Sequence, residues 1–215
     1  MDMRVCLAST SPARLMLLRQ VGIEPHTLSP RTDEDAIAAT AAKERGAELP
    51  PAELVLLLAR AKAADVAQRL ATDDPAFDGI VIGGDSMFEL GGRVYGKPYT
   101  PEEATRRWHE MRGATGILHS GHSVFRVSPG APLSEATAIA EASVTFAGDI
   151  SDDEIAAYVA TGEPLHVAGA FTVDSLGGAF ITRVDGDPST VVGMSLSTIR
   201  RLVGELGVTW TDLWS

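Results

Sequence analysis

Ile80-Val81-Ile82-Gly83-Gly84-Asp85-Ser86 is the stretch around which the rest of this chain is read. A β-branched apolar run bounded by glycine is a buried strand, and glycines at its end let another group come close to the backbone. The expectation is a strand that ends at Gly83 and delivers the Asp85 carboxylate to an open edge. A turn acid ahead of a hairpin is the competing reading, because Gly-Asp pairs are ordinary turn chemistry.

Outward from this stretch, strand-like and helix-like segments alternate, which is the grammar of an α/β protein. Upstream lie a strand over 5–8, a helix from 12 to about 21 and a long helix from about 52 to 70. Downstream, 87–90 and 93–95 flank Gly91-Gly92 as a hairpin, and Thr100 caps a helix that opens with Pro101 and runs to about Met111. Two longer strands follow over 117–127 and 136–146. Ser151-Asp152-Asp153-Glu154 is a capping box for a helix through Tyr158, stopped by Gly162-Glu163-Pro164. A strand over 178–184 and an amphipathic helix over 196–206 close the chain. The segment 30–51 shows no regular pattern, and its acids Asp33, Glu34 and Asp35 suit a mobile flap over a site.

With 215 residues, 45% of them apolar, the chain can bury a sizeable core, and a single domain over 1–215 is expected. No run approaches the roughly 18 apolar residues of a membrane span. The start, Met1 to Arg4 ahead of Val5-Cys6-Leu7-Ala8, is too short for a signal peptide, so a cytoplasmic location is expected. The lone Cys6 excludes an intramolecular disulfide and reads as a buried, inert thiol. A net charge of −11 opposes a broad nucleic-acid surface. A small phosphorylated ligand needs only a local cluster of cations.

Ser9-Thr10-Ser11-Pro12-Ala13-Arg14 passes from the first strand into the first helix, with Ser11 as N-cap and Pro12 at the first helical position. Its free amides, the helix dipole and the Ser9 and Ser11 hydroxyls form an anion site, or else simply a capped surface helix. Arg14 in the first turn is slightly unfavourable unless something negative covers that terminus. Lys62 sits among alanines that let other groups approach its helix, and Lys97 is restricted by Gly96 and Pro98. Arg14, Lys62 and Lys97 are therefore candidates to surround one polyphosphate, with Asp85 and Glu34 as carboxylates for a divalent ion; solvated helix cations are the plainer alternative. His119-Ser120-Gly121-His122 lacks a metal-binding pattern and reads as strand or turn histidines. P-loop, GxGxxG and GxSxG motifs are absent, which disfavours Walker NTPases, Rossmann dehydrogenases and α/β-hydrolases.

Five ordered blocks, residues 7–14, Gly84-Asp85-Ser86, Gly96-Lys97-Pro98, Gly162-Glu163-Pro164 with Ala168-Gly169-Ala170, and Gly186-Asp187 with Val191-Val192-Gly193, resemble the Maf family of nucleoside triphosphate pyrophosphatases, also called septum formation inhibitors. The resemblance spans about residues 7–206. It implies a Maf/ITPase-like α/β fold, with a mixed central sheet, flanking helices and two lobes around an active-site cleft. It further implies a divalent cation (Mg²⁺ or Mn²⁺), hydrolysis of a nucleoside triphosphate to monophosphate and diphosphate, and a homodimer. Carried over by position, Asp85 matches the catalytic acid, Ser9, Ser11 and Arg14 the phosphate grip, and Glu34, Lys62 and Lys97 the remaining active-site residues. Ala13, Gly116 and Val167 replace basic residues common in the family. Asp174 stands where one branch has glutamine and the 7-methyl-GTP branch has glutamate, so the resemblance makes it a base-selecting position that leans away from thymine and uracil. The alternatives are a nucleotide-binding regulator of division without turnover and a phosphate-sugar or nucleotidyl transferase.

Overall fold

The computed structural model describes residues 3–215, so Met1 and Asp2, part of the segment weighed above as a leader, lie outside the described residues. The elements are β1 (Arg4–Ala8), α1 (Pro12–Gln20), β2 (His26–Thr27), α2 (Glu34–Arg45), α3 (Pro51–Asp73), β3 (Gly79–Leu90), β4 (Arg93–Tyr95), α4 (Pro101–Met111), β5 (Thr115–Val127), β6 (Ser134–Phe146), α5 (Asp152–Ala160), β7 (Ile181–Asp185), α6 (Pro188–Val192) and α7 (Leu196–Glu205). Short 3₁₀ turns over Glu163–His166, Ala168–Ala170, Leu176–Phe180 and Trp210–Leu213 complete them. The sheet is mixed: β1 runs parallel to β2 and β3, whereas β4 is antiparallel to β3 and β7 antiparallel to β6. With its flanking helices this is a mixed α/β fold. Among the described residues, no helix is long and apolar enough to cross a membrane.

Two compact units divide the chain, and β3, β5 and β6 contribute part of their length to each. The first unit comprises the described residues up to Asp85, Ser120–Ala140 and Gly193–Ser215, with its strands in the order β2-β1-β3-β5-β6. Its core includes Cys6, Ala8, Ala63, Val66, Val81 and Phe125. The second unit comprises Ser86–His119 and Glu141–Val192 and uses the order β3-β5-β6-β7, with β4 added to β3. Its core is aromatic. Phe88 makes edge-on contacts with Tyr95, Phe146 and Phe171, and the Trp108 indole N–H donates to the Ala170 carbonyl at 2.8 Å. Edge-on pairs of this kind add to plain area burial.

Most local signals form the expected elements. Ser11 accepts from the Arg14 amide, Thr100 from the Glu103 amide, and Ser151 with Glu154 closes a full capping box. Three expectations are corrected. The strand does not end at Gly83: β3 continues through Gly84 and Asp85 to Leu90, so Asp85 projects from mid-strand and is only 9% exposed. The segment 30–51 is no irregular flap, because α2 occupies Glu34–Arg45, capped by the Asp33 side chain and ended by Gly46 in the left-handed conformation. The last strand starts at Ile181 rather than 178, after a 3₁₀ turn.

The glycine pair serves packing inside the first unit. A Cβ on Gly83 would lie 2.7 Å from both the Ala59 carbonyl oxygen and the Ala63 Cβ, closer than real contacts allow. The alanine face of α3 therefore lies directly on β3 at this point. We expect Gly83→Ala to push α3 outward at a cost of about 1–3 kcal/mol, the usual range for overpacking. Thermal unfolding should fall by roughly 2–4 °C per kcal/mol in a chain of this size. An unchanged midpoint would show that the two elements are less tightly apposed.

Candidate functional site

Close packing of α3 on β3 brings Lys62 to Asp85. The Lys62 ammonium donates to Asp85 Oδ1 at 2.7 Å and lies 2.9 Å from Glu34 Oε1. Lys62 is 8% exposed, while Glu34, the first residue of α2, keeps its side chain about half in solvent. One ammonium thus bridges a buried carboxylate and an accessible one.

Arg14 completes the cluster. Its Nε donates to the Gly193 carbonyl at 2.9 Å and one terminal nitrogen donates to Ser9 Oγ at 3.3 Å. Ser9 Oγ also accepts from the Ser11 amide, so the turn entering α1 is tied to the guanidinium it carries. Gly84 supplies the room, since a Cβ there would lie 3.3 Å from Arg14 Nε. The groups that approach the glycine pair closely are therefore α3 and Arg14, both parts of this chain.

The electrostatics follow from burial. Desolvation pushes the Asp85 carboxyl above its ordinary value, opposed by Lys62 and Arg14 and reinforced by Glu34. Arg14 is drawn down by desolvation and held up by Asp85 and Glu34. A carboxylate raised by burial is a stronger base than a solvated one. Cys6 is fully buried, and burial pushes its thiol up to about 12, which agrees with an inert role.

Ser9, Ser11, Arg14, Glu34, Lys62 and Asp85 all belong to the first unit, and the structure brings them together through the contacts above. Lys97 and Asp174 belong to the second unit, where both are exposed, Lys97 between β4 and α4 and Asp174 in the loop after Phe171. Among the described residues there is no group of three or more His, Cys, Asp or Glu side chains able to hold a metal. His119 is buried in β5 between the Glu141 and Glu89 carboxylates, and His122 Nε2 accepts from the Ser195 amide. Both are strand histidines, as read. The space a larger residue would need at Gly116 is filled by the Phe88 ring, 2.3 Å from a built Cβ.

Two residues carry more than their sequence context announced. Gly193 supplies the carbonyl that orients Arg14, and nothing in the local sequence marks a backbone acceptor 179 positions away. Glu163, read as part of a helix stop and of one family block with no role of its own, accepts hydrogen bonds from Tyr158 Oη, Thr172 Oγ1, Ser175 Oγ and the amides of Leu176 and Gly177. Burial pushes its carboxyl up, but the donations from Thr172, Ser175, Gly177 and Tyr158 win and hold it down at about 2.

A mixed α/β chain with a buried, cation-held carboxylate beside a serine-rich helix entry matches one family model, Maf-like protein, over residues 4–206. The chain belongs to the Maf-like protein family. It is 55% identical over 213 residues to a nucleoside triphosphate pyrophosphatase of Leifsonia xyli, covering 99% of this chain and 97% of that one. It is also 49% identical to proteins of the same name from Salinispora tropica and Streptomyces avermitilis, covering 89% and 95% of those chains and 100% and 99% of this one. Among solved structures, the Staphylococcus aureus Ham1 protein aligns at 10% identity with a TM-score of 0.31, over 67% of this chain and 72% of that one, a likeness too distant to carry an argument.

Proposed function

We propose that this chain is a nucleoside triphosphate pyrophosphatase, a hydrolase that cleaves the bond between the α- and β-phosphates to release a nucleoside monophosphate and diphosphate. The observation that carries the reading is the Glu34–Lys62–Asp85 bridge with Arg14 beside it, in a Maf-family chain whose full-length relatives bear that name. Asp85 acts as general base: it takes a proton from water as the water oxygen bonds to the α-phosphorus and the bridging oxygen leaves with diphosphate. Arg14, the Ser9 to Ser11 turn, Lys62 and Lys97 hold phosphate charge, and Asp174 reads the base. Positioning and charge stabilisation supply most of the acceleration.

A divalent cation fits this donor set. Glu34 and Asp85 already converge on one positive centre, the Lys62 ammonium, and magnesium is commonly held by one or two carboxylates together with substrate phosphates. Glu34 and Asp85 would be its protein ligands, and when bound it would neutralise charge on the departing diphosphate. In this reading the chain works as one domain over 1–215, in the cytoplasm and as a homodimer, on free nucleotides rather than on a nucleic acid polymer.

The test is a panel of common, deoxy and methylated nucleoside triphosphates with Mg²⁺ or Mn²⁺, with diphosphate and monophosphate quantified. Release of both from at least one nucleotide, and not of orthophosphate, is expected. Binding by calorimetry without any product would replace the enzyme with a nucleotide-sensing regulator.

A further inference from the structure

The loop bearing Asp174 is built around a carboxylate that the hydrolytic chemistry does not use. Glu163 Oε1 accepts from Tyr158 Oη (2.9 Å), Thr172 Oγ1 and the Gly177 amide (3.1 Å), while Oε2 accepts from Ser175 Oγ (2.8 Å) and the Leu176 amide (3.3 Å). Four of these five donors lie within residues 172–177, on either side of Asp174. The chain is tight here: a Cβ on Gly177 would lie 2.6 Å from Tyr158 Oη and 2.7 Å from the Thr172 carbonyl oxygen. Asp174 and Ser175 are exposed and belong to no helix or strand, so without the carboxylate nothing regular would fix their backbone.

We propose that Glu163 is a positioning residue for nucleobase selection: by gathering the donors of 172–177 it fixes where the Asp174 carboxylate stands. The inference rests on the reading of Asp174 as the base-selecting group. An ionised carboxylate suits the task, because it is an acceptor at every lone pair and each of its five neighbours is a donor. Glutamine in its place turns one oxygen into a donor that faces either the Ser175 hydroxyl and the Leu176 amide, or the Gly177 amide and the Thr172 and Tyr158 hydroxyls. Part of the set is then lost whichever way the amide points.

The test compares the wild type, Glu163→Gln, Asp174→Asn and the double variant, with kcat and KM measured for UTP and 7-methyl-GTP. Inhibition by tripolyphosphate, which has no base, is measured alongside. Glu163→Gln is expected to shrink the ratio of kcat/KM between the two nucleotides by about tenfold, the scale of one lost hydrogen bond, and to do so mainly through KM of the preferred nucleotide. Tripolyphosphate inhibition should stay unchanged, and the double variant should discriminate no worse than Asp174→Asn alone. Thr172→Val, which keeps the carboxylate and removes one donor, should shift selectivity in the same direction and covers the case in which Glu163→Gln does not fold. If Asp174→Asn alters selectivity while Glu163→Gln and Thr172→Val leave it intact, the positioning role is overturned. If Asp174→Asn leaves selectivity intact, the base-reading assignment itself is overturned and the inference falls with it.

Discussion

Replacing Asp85 with asparagine is expected to reduce diphosphate release by roughly 10²- to 10⁴-fold, the usual contribution of a positioned proton acceptor. The substitution keeps the shape of the side chain and its oxygen facing Lys62 but removes the basic lone pair. A loss well beyond that range would mean that Asp85 also holds the metal or positions water. Stability should not fall in parallel. Burial raises Asp85 above its unfolded value, so between that value and the raised one the folded chain holds more proton than the unfolded chain. Stability due to this group therefore declines as pH rises through that window, and above it the ionised carboxylate is a cost. Asparagine removes that cost but also takes a counter-charge from buried Lys62 and Arg14, which keep Glu34, so the unfolding midpoint should fall by less than it does in Lys62→Met. A variant that is inactive because it unfolds would break the argument.

Lys62→Met should cost more stability. Methionine matches the length of the stem but removes the ammonium that both carboxylates share, leaving a buried Asp85 whose remaining cation is Arg14. Stripping one partner from a buried pair costs on the order of 3–5 kcal/mol. The cost must depend on pH. Lys62 is the first of the cations holding Asp85 down, so its loss lets the carboxyl rise further, and a carboxyl that has taken up a proton needs no counter-charge. The stability gap to the wild type should therefore be smallest at acidic pH and widen as pH rises in urea unfolding. An equal gap at every pH would show that Lys62 stabilises by packing its stem rather than by charge. Diphosphate release should fall as well, with its acidic limb displaced to higher pH by the rise of Asp85.

The site and the fold were legible in the sequence to different depths. The caps at Ser11, Thr100 and Ser151 could be read because a cap is a local bargain between one side chain and amides two or three residues away. α2 escaped reading although Asp33 and Gly46 bracket it, because it buries no residue and so carries no apolar stripe. The same kind of reason hid the course of β3. Two glycines and an acid look like a strand end, and only α3 packing on Gly83 and Arg14 lying against Gly84 explain why the strand runs through them.

Residue types and local order were settled by the sequence alone: the alternation of strands and helices, the serine-rich entry to α1, and the presence of Asp85, Lys62, Arg14 and Glu34 as groups able to do phosphate chemistry. Their convergence was not, since the partners lie 23 to 179 positions apart and no spacing rule reaches that far. The tertiary structure decided that Lys62 stands between two carboxylates, that a backbone carbonyl at Gly193 aims Arg14, and that Glu163 ties down the Asp174 loop. It also decided the protonation balance of Asp85, because desolvation depends on what is packed around a group and not on its neighbours in the chain.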